Sequence, residues 1–172
     1  MENQNKPSKK NIMINYGLLL GFFGILTNVI NYAFGDIYKP HWSINVINII
    51  AMIAAIILGI KEYKKQNGGF LTIAQGLKTG VGIALISAIV SAIYIFVFAK
   101  FIEPDFVENI VEIQRQKLLE NPNMPEEMID TFGENTRKYF YPYTIGVTLV
   151  FSIFMGFIVS LIASLVMQKK EE

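Results

Sequence analysis

Four uninterrupted apolar stretches constrain this 172-residue chain more than any other feature of its sequence. They cover approximately residues 12–34, 43–60, 73–99 and 143–167. A helix rises about 1.5 Å per residue, so even the shortest stretch spans about 27 Å, close to the thickness of a bilayer's hydrocarbon core. The sequence therefore predicts an all-α integral membrane protein folded as a four-helix bundle.

Composition narrows the function classes. The net charge is only +1, which lacks the basic face of a nucleic-acid-binding protein. The absence of cysteine excludes disulfides, thiol nucleophiles and Cys-bound metals. The single histidine, His41, has one nearby carboxylate, Asp36, which is fewer ligands than zinc requires. We expect no cofactor, no metal and no nucleic-acid partner.

The polar segments define the domain organisation. We expect polar tails at residues 1–11 and 169–172 around a single membrane domain, residues 12–168. The connection at residues 101–141 carries nine acidic residues and is expected to form an outer helical loop of two short amphipathic helices. The motif NPNMP separates these helices, and the aromatic segment at residues 137–143 is expected to anchor the start of the fourth span at the membrane interface.

The distribution of lysine and arginine along the sequence predicts the orientation of the chain in the membrane. The tails and the second connection carry eight lysines, whereas the opposite side carries six Lys and Arg residues on longer segments. Because short cytoplasmic segments are enriched in Lys and Arg, we expect both termini in the cytoplasm. The lysines on the predicted cytoplasmic side are Lys6, Lys9, Lys10, Lys61, Lys64, Lys65, Lys169 and Lys170.

Small residues recur every four positions in two spans. The third span contains Gly76, Gly80 and Ala84, and the fourth contains Ser152, Gly156 and Ser160. Small residues let helix backbones approach closely in a bilayer, so both rows are candidate packing faces. Such a row turns about 40° per step, so two or three members of each can meet one partner. Alternatively, the hydroxyl groups line a pathway.

Two pairs of amides lie inside the first two spans. Asn28 and Asn31 precede the first connection, and Asn45 and Asn48 follow it. Amides in hydrocarbon need hydrogen-bond partners, and antiparallel neighbours place the two pairs at a similar depth. We expect them to bond across the helix pair; the alternative is a site for water or a polar ligand.

The start of the third span is the most polar membrane edge. Gly68 and Gly69 predict a tight turn, and Thr72 is a candidate helix cap. Thr72, Gln75 and Lys78 then form one polar helical face that close packing alone does not explain.

Catalytic patterns are missing. The cores of the four spans contain no Asp or Glu, which disfavours a proton-coupled carrier, and nucleotide-binding and hydrolase motifs are absent. We therefore expect a non-enzymatic structural or interaction protein that packs with itself or with a larger membrane partner in the lipid bilayer. The alternative is a facilitative carrier of a small polar solute, lined by the four amides and the hydroxyl row.

Several segments together resemble a known family. The basic turn KEYKKQNGGFLTIAQGLKTG, the segment YIFVFAKFIEPDF and the loop motif NMPEEMID are similar to the bacterial membrane-protein family called domain of unknown function 4199. Asn67, Gly68, Gly69 and Phe70 carry the resemblance most strongly, and it extends over about residues 11–167. It implies four transmembrane helices in a bacterial cytoplasmic membrane and transfers no catalytic or binding residue.

Overall fold

The structure is a computed structural model that describes residues 8–121 and 123–170. Within these ranges the chain is all-α and has no strand, which confirms the predicted fold class. Four helices are long and apolar enough to cross a membrane, and they indicate a multi-pass membrane protein. The helices are α1 (Lys9–Phe34), α2 (Trp42–Gln66), α3 (Ile73–Val97), α4 (Phe106–Leu119) and α5 (Glu126–Met167), with a π-helical turn at Phe98–Ile102.

Two predicted boundaries differ from the structure. The first tail is shorter than expected, because α1 begins at Lys9; residues 1–7, 122 and 171–172 lie outside the described residues. The second loop helix and the fourth span form one continuous helix of 42 residues, α5, with Pro142 inside it. A proline removes one backbone donor, and helices that cross membranes tolerate this loss. The aromatic segment at residues 137–143 is therefore helical.

The chain divides into two compact units. Within the described residues, unit 1 contains residues 8–91 and 149–170, and unit 2 contains residues 92–121 and 123–148. Helices α3 and α5 each contribute residues to both units.

Helix α3 packs against α1 and α2 within unit 1. A Cβ atom added to Gly17 or Gly21 of α1 would lie 2.7 Å from the Cβ of Ile86 or Val90 of α3, respectively. The two glycines therefore let the α1 backbone approach α3 closely. From α2, Ile56 and Ile60 are fully buried in the same core.

The third neighbour of α3 is α5, and small residues meet along this contact. Gly76 faces Ser164, Gly80 faces Ser160 and Ala84 faces Gly156, as expected for two antiparallel helices. A Cβ atom on Gly80 would lie 2.8 Å from both the Ser160 Cβ and the Ile56 Cγ2. Helix α3 thus packs against three helices, and its contact with α5 depends on residues with small side chains.

The turn between α2 and α3 joins the C-terminus of the chain. Gly68 and Gly69 have φ angles of 68° and 87°, and the Gly69 N–H donates to the Lys64 carbonyl at 2.9 Å. This bond and the left-handed glycine are typical of a Schellman helix end. Leu71 follows and exchanges two backbone hydrogen bonds with Lys169, of 2.8 and 2.9 Å.

Candidate functional site

Unit 2 contains a helical hairpin formed by α4 and the first half of α5. Val111 of α4 and Ile129 of α5 are buried between the helices. Gly133 allows this approach, since a Cβ atom there would lie 3.2 Å from the Val111 Cγ1. The two amphipathic helices of the acidic connection thus pack against each other through a narrow apolar contact.

Two ion pairs join the outer faces of the hairpin. The Arg137 guanidinium donates two hydrogen bonds to the Glu108 carboxylate, with Nε–Oε2 and Nη2–Oε1 distances of 2.8 and 2.6 Å. Arg115 lies 3.5 Å from Asp130 in the second pair. The hydrogen bonds from Arg137, more than its charge, hold the pKa of Glu108 below the ordinary value. Such bidentate pairs fix orientation as well as distance.

A chain of aromatic rings continues from this hairpin. Phe106 meets Phe98 edge to face at a centroid distance of 5.4 Å, and it meets Phe140 at 6.0 Å. Phe140 contacts Tyr141, which contacts Phe96. Edge-to-face contacts of this kind favour a defined ring geometry, so they hold Phe140 in a fixed position in the hairpin.

A groove of about 470 Å³ runs along the hairpin. Its lining is aromatic, aliphatic, amide and hydroxyl, with no charged residue. The α5 residues recur at steps of three and four positions, so they form one helical stripe about 18 Å long. The groove is lined by Ile110, Gln114, Phe132, Asn135, Thr136, Tyr139, Phe140, Tyr143 and Thr144.

The groove was not predicted from the sequence, although part of its lining forms a regular row. Phe132, Thr136, Phe140 and Thr144 lie four positions apart, and such a row is visible in the sequence. The prediction placed residues 101–141 in the outer loop and started the fourth span at residue 143, so the row was divided between two elements. A helix continuing through Pro142 brings the row onto one face of α5.

The predicted packing residues lie inside unit 1. Gly76, Gly80 and Ala84 of α3 are buried, as are Gly156 and Ser160 of α5. The Ser160 hydroxyl donates to the Gly156 carbonyl of its own helix. Helices α3 and α5 thus cover these residues mutually within one chain. Ser152, the remaining member, is only partly buried.

Two residues of the predicted polar edge, Thr72 and Gln75, cap the start of α3. The Thr72 N–H donates to the Gln75 Oε1 at 2.9 Å, and the Gln75 N–H donates to the Thr72 Oγ1 at 3.2 Å. This reciprocal pair is a capping box, which satisfies backbone donors at the start of α3. Lys78 is exposed. A helix-start role therefore accounts for Thr72 and Gln75 without a ligand.

Two of the intramembrane amides, Asn31 and Asn48, form hydrogen bonds with groups other than the predicted amides. The Asn48 Oδ1 accepts from the Thr27 hydroxyl of α1 at 3.1 Å, and the Asn48 amide donates to the Ile44 carbonyl. Buried Asn31 donates to the Asp36 carbonyl at 3.3 Å, near the first connection. Asn28 is partly buried and Asn45 is exposed. The hydrogen bond from Thr27 to Asn48 thus joins α1 to α2.

A second cavity, of about 280 Å³, brings together predicted residues from two helices of unit 1. Asn45 and Asn48 of α2 line it together with Ser152 of α5. Ile49, Met52 and Phe151 complete its wall. Predicted amides and a predicted hydroxyl thus share this cavity. Across residues 8–121 and 123–170, no group of three His, Asp or Glu side chains is arranged to hold a metal ion.

Comparison with known proteins identifies a family. The model of a family described as Protein of unknown function (DUF4199) matches residues 15–169. No curated protein and no solved structure matches the chain.

Proposed function

We propose, from the premise that this chain belongs to the family described as Protein of unknown function (DUF4199), that it is a non-enzymatic interaction protein of the membrane. In this proposal the groove of the α4–α5 hairpin binds an apolar helical segment of a larger membrane partner. The groove is the observation that carries the proposal, because it presents uncharged aromatic and amide groups along one helical stripe.

The chemistry of the lining supports a protein ligand. Tyr139, Tyr143 and Phe132 are each about half exposed or more, so they offer aromatic surface to a partner. Tyrosine and phenylalanine give large contact areas, and tyrosine is enriched where binding energy is concentrated. A stripe about 18 Å long matches the contact length of a helix laid in a groove. Gln114 and Asn135 supply hydrogen bonds that fix its register.

Site-specific crosslinking tests this proposal. A photoreactive residue at Tyr143 should crosslink to an apolar helix of one membrane protein, whereas the same residue at Lys138, exposed but outside the groove, should not. Replacing Phe132 and Tyr139 by alanine should weaken that crosslink at least tenfold. Crosslinks to lipid alone, or equal yields from Tyr143 and Lys138, would rule the proposal out. A crosslink to a differently tagged second copy would assign the groove to self-association instead.

The proposed location is a bacterial cytoplasmic membrane with both termini in the cytoplasm. The concentration of lysines at the end of α2 and in the C-terminal segment supports this orientation. The chain has no cysteine, so single cysteines can report topology directly. In intact cells, an impermeant thiol reagent should label a cysteine at Glu120, which is exposed outside the groove, and spare one at Gln66. The reverse labelling would invert the orientation.

A facilitative carrier is the second candidate, because Asn45, Asn48 and Ser152 share one cavity. A carrier of a small polar solute would admit water to a cysteine at Ser152. Ser160 is fully buried, so a cysteine there reports whether the route extends past Ser152. Labelling at both positions favours the carrier, and protection at both excludes it.

A further inference from the structure

Most charged side chains in the described part of unit 1 lie at one end of its helices. We call it the basic end; it comprises the start of α1, the end of α2, the start of α3 and the C-terminal segment. Eight lysines lie there, and Glu62 is the only acidic residue of this end within the described part of the chain. The lysines are Lys9, Lys10, Lys61, Lys64, Lys65, Lys78, Lys169 and Lys170.

Contacts between the four segments hold the basic end together. The Lys64 ammonium donates to the Met167 carbonyl at 2.8 Å, which joins α2 to the end of α5. The Lys9 ammonium lies 5.0 Å from the centroid of the Tyr63 ring, which joins α1 to α2. The backbone of Lys169 pairs with Leu71. These contacts gather cations from segments that are distant in sequence.

Apolar surface adjoins the cations directly. Leu165 and Val166, which precede Lys169 by one turn, are 50% and 80% exposed. On α2, Ile57 and Leu58 are 39% and 51% exposed, one turn before Lys61. The basic end therefore presents cations next to exposed aliphatic side chains on two helices. A ligand with an anionic group attached to hydrocarbon complements both features at once.

We propose that the basic end binds anionic phospholipid, with the lysine ammonium groups on the phosphate and the acyl chains along the exposed faces of α2 and α5. Each lysine near an anionic membrane surface contributes up to about fivefold in binding. The Lys169 ammonium lies 5.7 Å from the centroid of the Phe70 ring and Lys64 is bonded to Met167, so neither lysine is fully free to move. Held cations lose less side-chain entropy on binding. This inference is independent of the groove in unit 2.

Native mass spectrometry of the full chain tests the proposal. The purified protein is offered an equimolar mixture of phosphatidylglycerol and phosphatidylcholine with identical acyl chains. We expect the anionic lipid to be retained at least fivefold more. Lys61→Gln, Lys65→Gln and Lys170→Gln together should reduce this preference to about twofold or less. These lysines are exposed, so the triple variant should keep its helical circular dichroism and its unfolding midpoint.

A matched control lies at the opposite end of α1 and α2. Lys39 is also exposed, and Lys39→Gln should leave the lipid preference unchanged. Equal retention of the two lipids by the natural chain would overturn the proposal. An unchanged preference in the triple variant, or an equal loss with Lys39→Gln, would do so as well. Displacement of the lipid by glycerol phosphate at equal concentration would assign the cations to soluble phosphate and would also contradict it.

Discussion

At the scale of single residues, the contact between α3 and α5 has no room for a methyl group at Gly80. An added Cβ atom would lie 2.8 Å from both the Ser160 Cβ and the Ile56 Cγ2, and neither atom is the far end of a flexible side chain. The core must therefore shift to accept alanine. We predict that Gly80→Ala lowers the free energy of unfolding by about 1–3 kcal/mol, measured by titration with a denaturing detergent in mixed micelles.

Gly146 gives the matched control for this substitution. It is also a helical glycine of a long apolar helix, but nothing lies within 4 Å of an added Cβ atom. Gly146→Ala should leave the free energy of unfolding unchanged or raise it slightly, because alanine is the better helix former. Similar losses in the two variants would mean that steric contact is not the cause.

The ion pair between Glu108 and Arg137 makes the hairpin sensitive to acid. Because the pKa of Glu108 is lowered in the folded hairpin, the contribution of the pair is present above the ordinary pKa of 4.5. It is lost as the pH falls through the lower folded value. We predict that spin labels on cysteines at Lys117 and Glu134 show a broader distance distribution at pH 3 than at pH 6.

The variant Glu108→Gln should show the broader distribution at both values of pH, since its side chain cannot ionise. Glu112→Gln is the control, because Glu112 accepts from Gln116 of its own helix and does not bridge the hairpin. A distribution that responds to acid equally in Glu108→Gln and the natural sequence would show that another group titrates.

At the scale of elements, α3 begins with a reciprocal side-chain cap. Thr72 and Gln75 each accept a hydrogen bond from the backbone of the other. We predict that Thr72→Ala costs about 1 kcal/mol in the free energy of unfolding. Gln75→Ala should lower the free energy of unfolding less in the Thr72→Ala variant than in the natural chain, since the two residues act together. A double-mutant cycle in mixed micelles measures this coupling, and additive losses would contradict the capping box.

Helix α5 shows how an element can join two roles. Its first half forms the hairpin with α4, and its second half packs against α3 through Gly156 and Ser160. The proline between them removes one backbone hydrogen bond without ending the helix. This continuity places the groove and the packing row on one element.

At the scale of the whole molecule, the C-terminal segment returns to the turn between α2 and α3. Leu71 is fully buried, and its backbone exchanges two hydrogen bonds with Lys169. We predict that ending the chain after Met167 lowers the free energy of unfolding by about 1–3 kcal/mol, because both bonds are lost. A chain ending after Lys170 retains both bonds and serves as the control. Equal stability of the two truncated chains would contradict a structural role for this bridge.

The four candidate spans and the all-α class follow from the amino-acid sequence alone. Four apolar stretches of sufficient length have few alternatives in a bilayer, because every backbone group must be bonded within its own helix. The turn at Gly68 and Gly69 was also predictable, since positive φ angles favour glycine. Local chemistry is sufficient for features that depend only on neighbouring residues.

Which helix faces pack against each other depends on the tertiary structure. The small residues of α3 and α5 were recognisable, but their burial within one chain depended on three helices enclosing α3. Likewise, Thr27 became the partner of Asn48 through the relative rotation of α1 and α2. The groove required α4 to pack against a helix that continues through Pro142. Packing between distant segments fixes these choices, and its energy is not encoded in any single stretch of sequence.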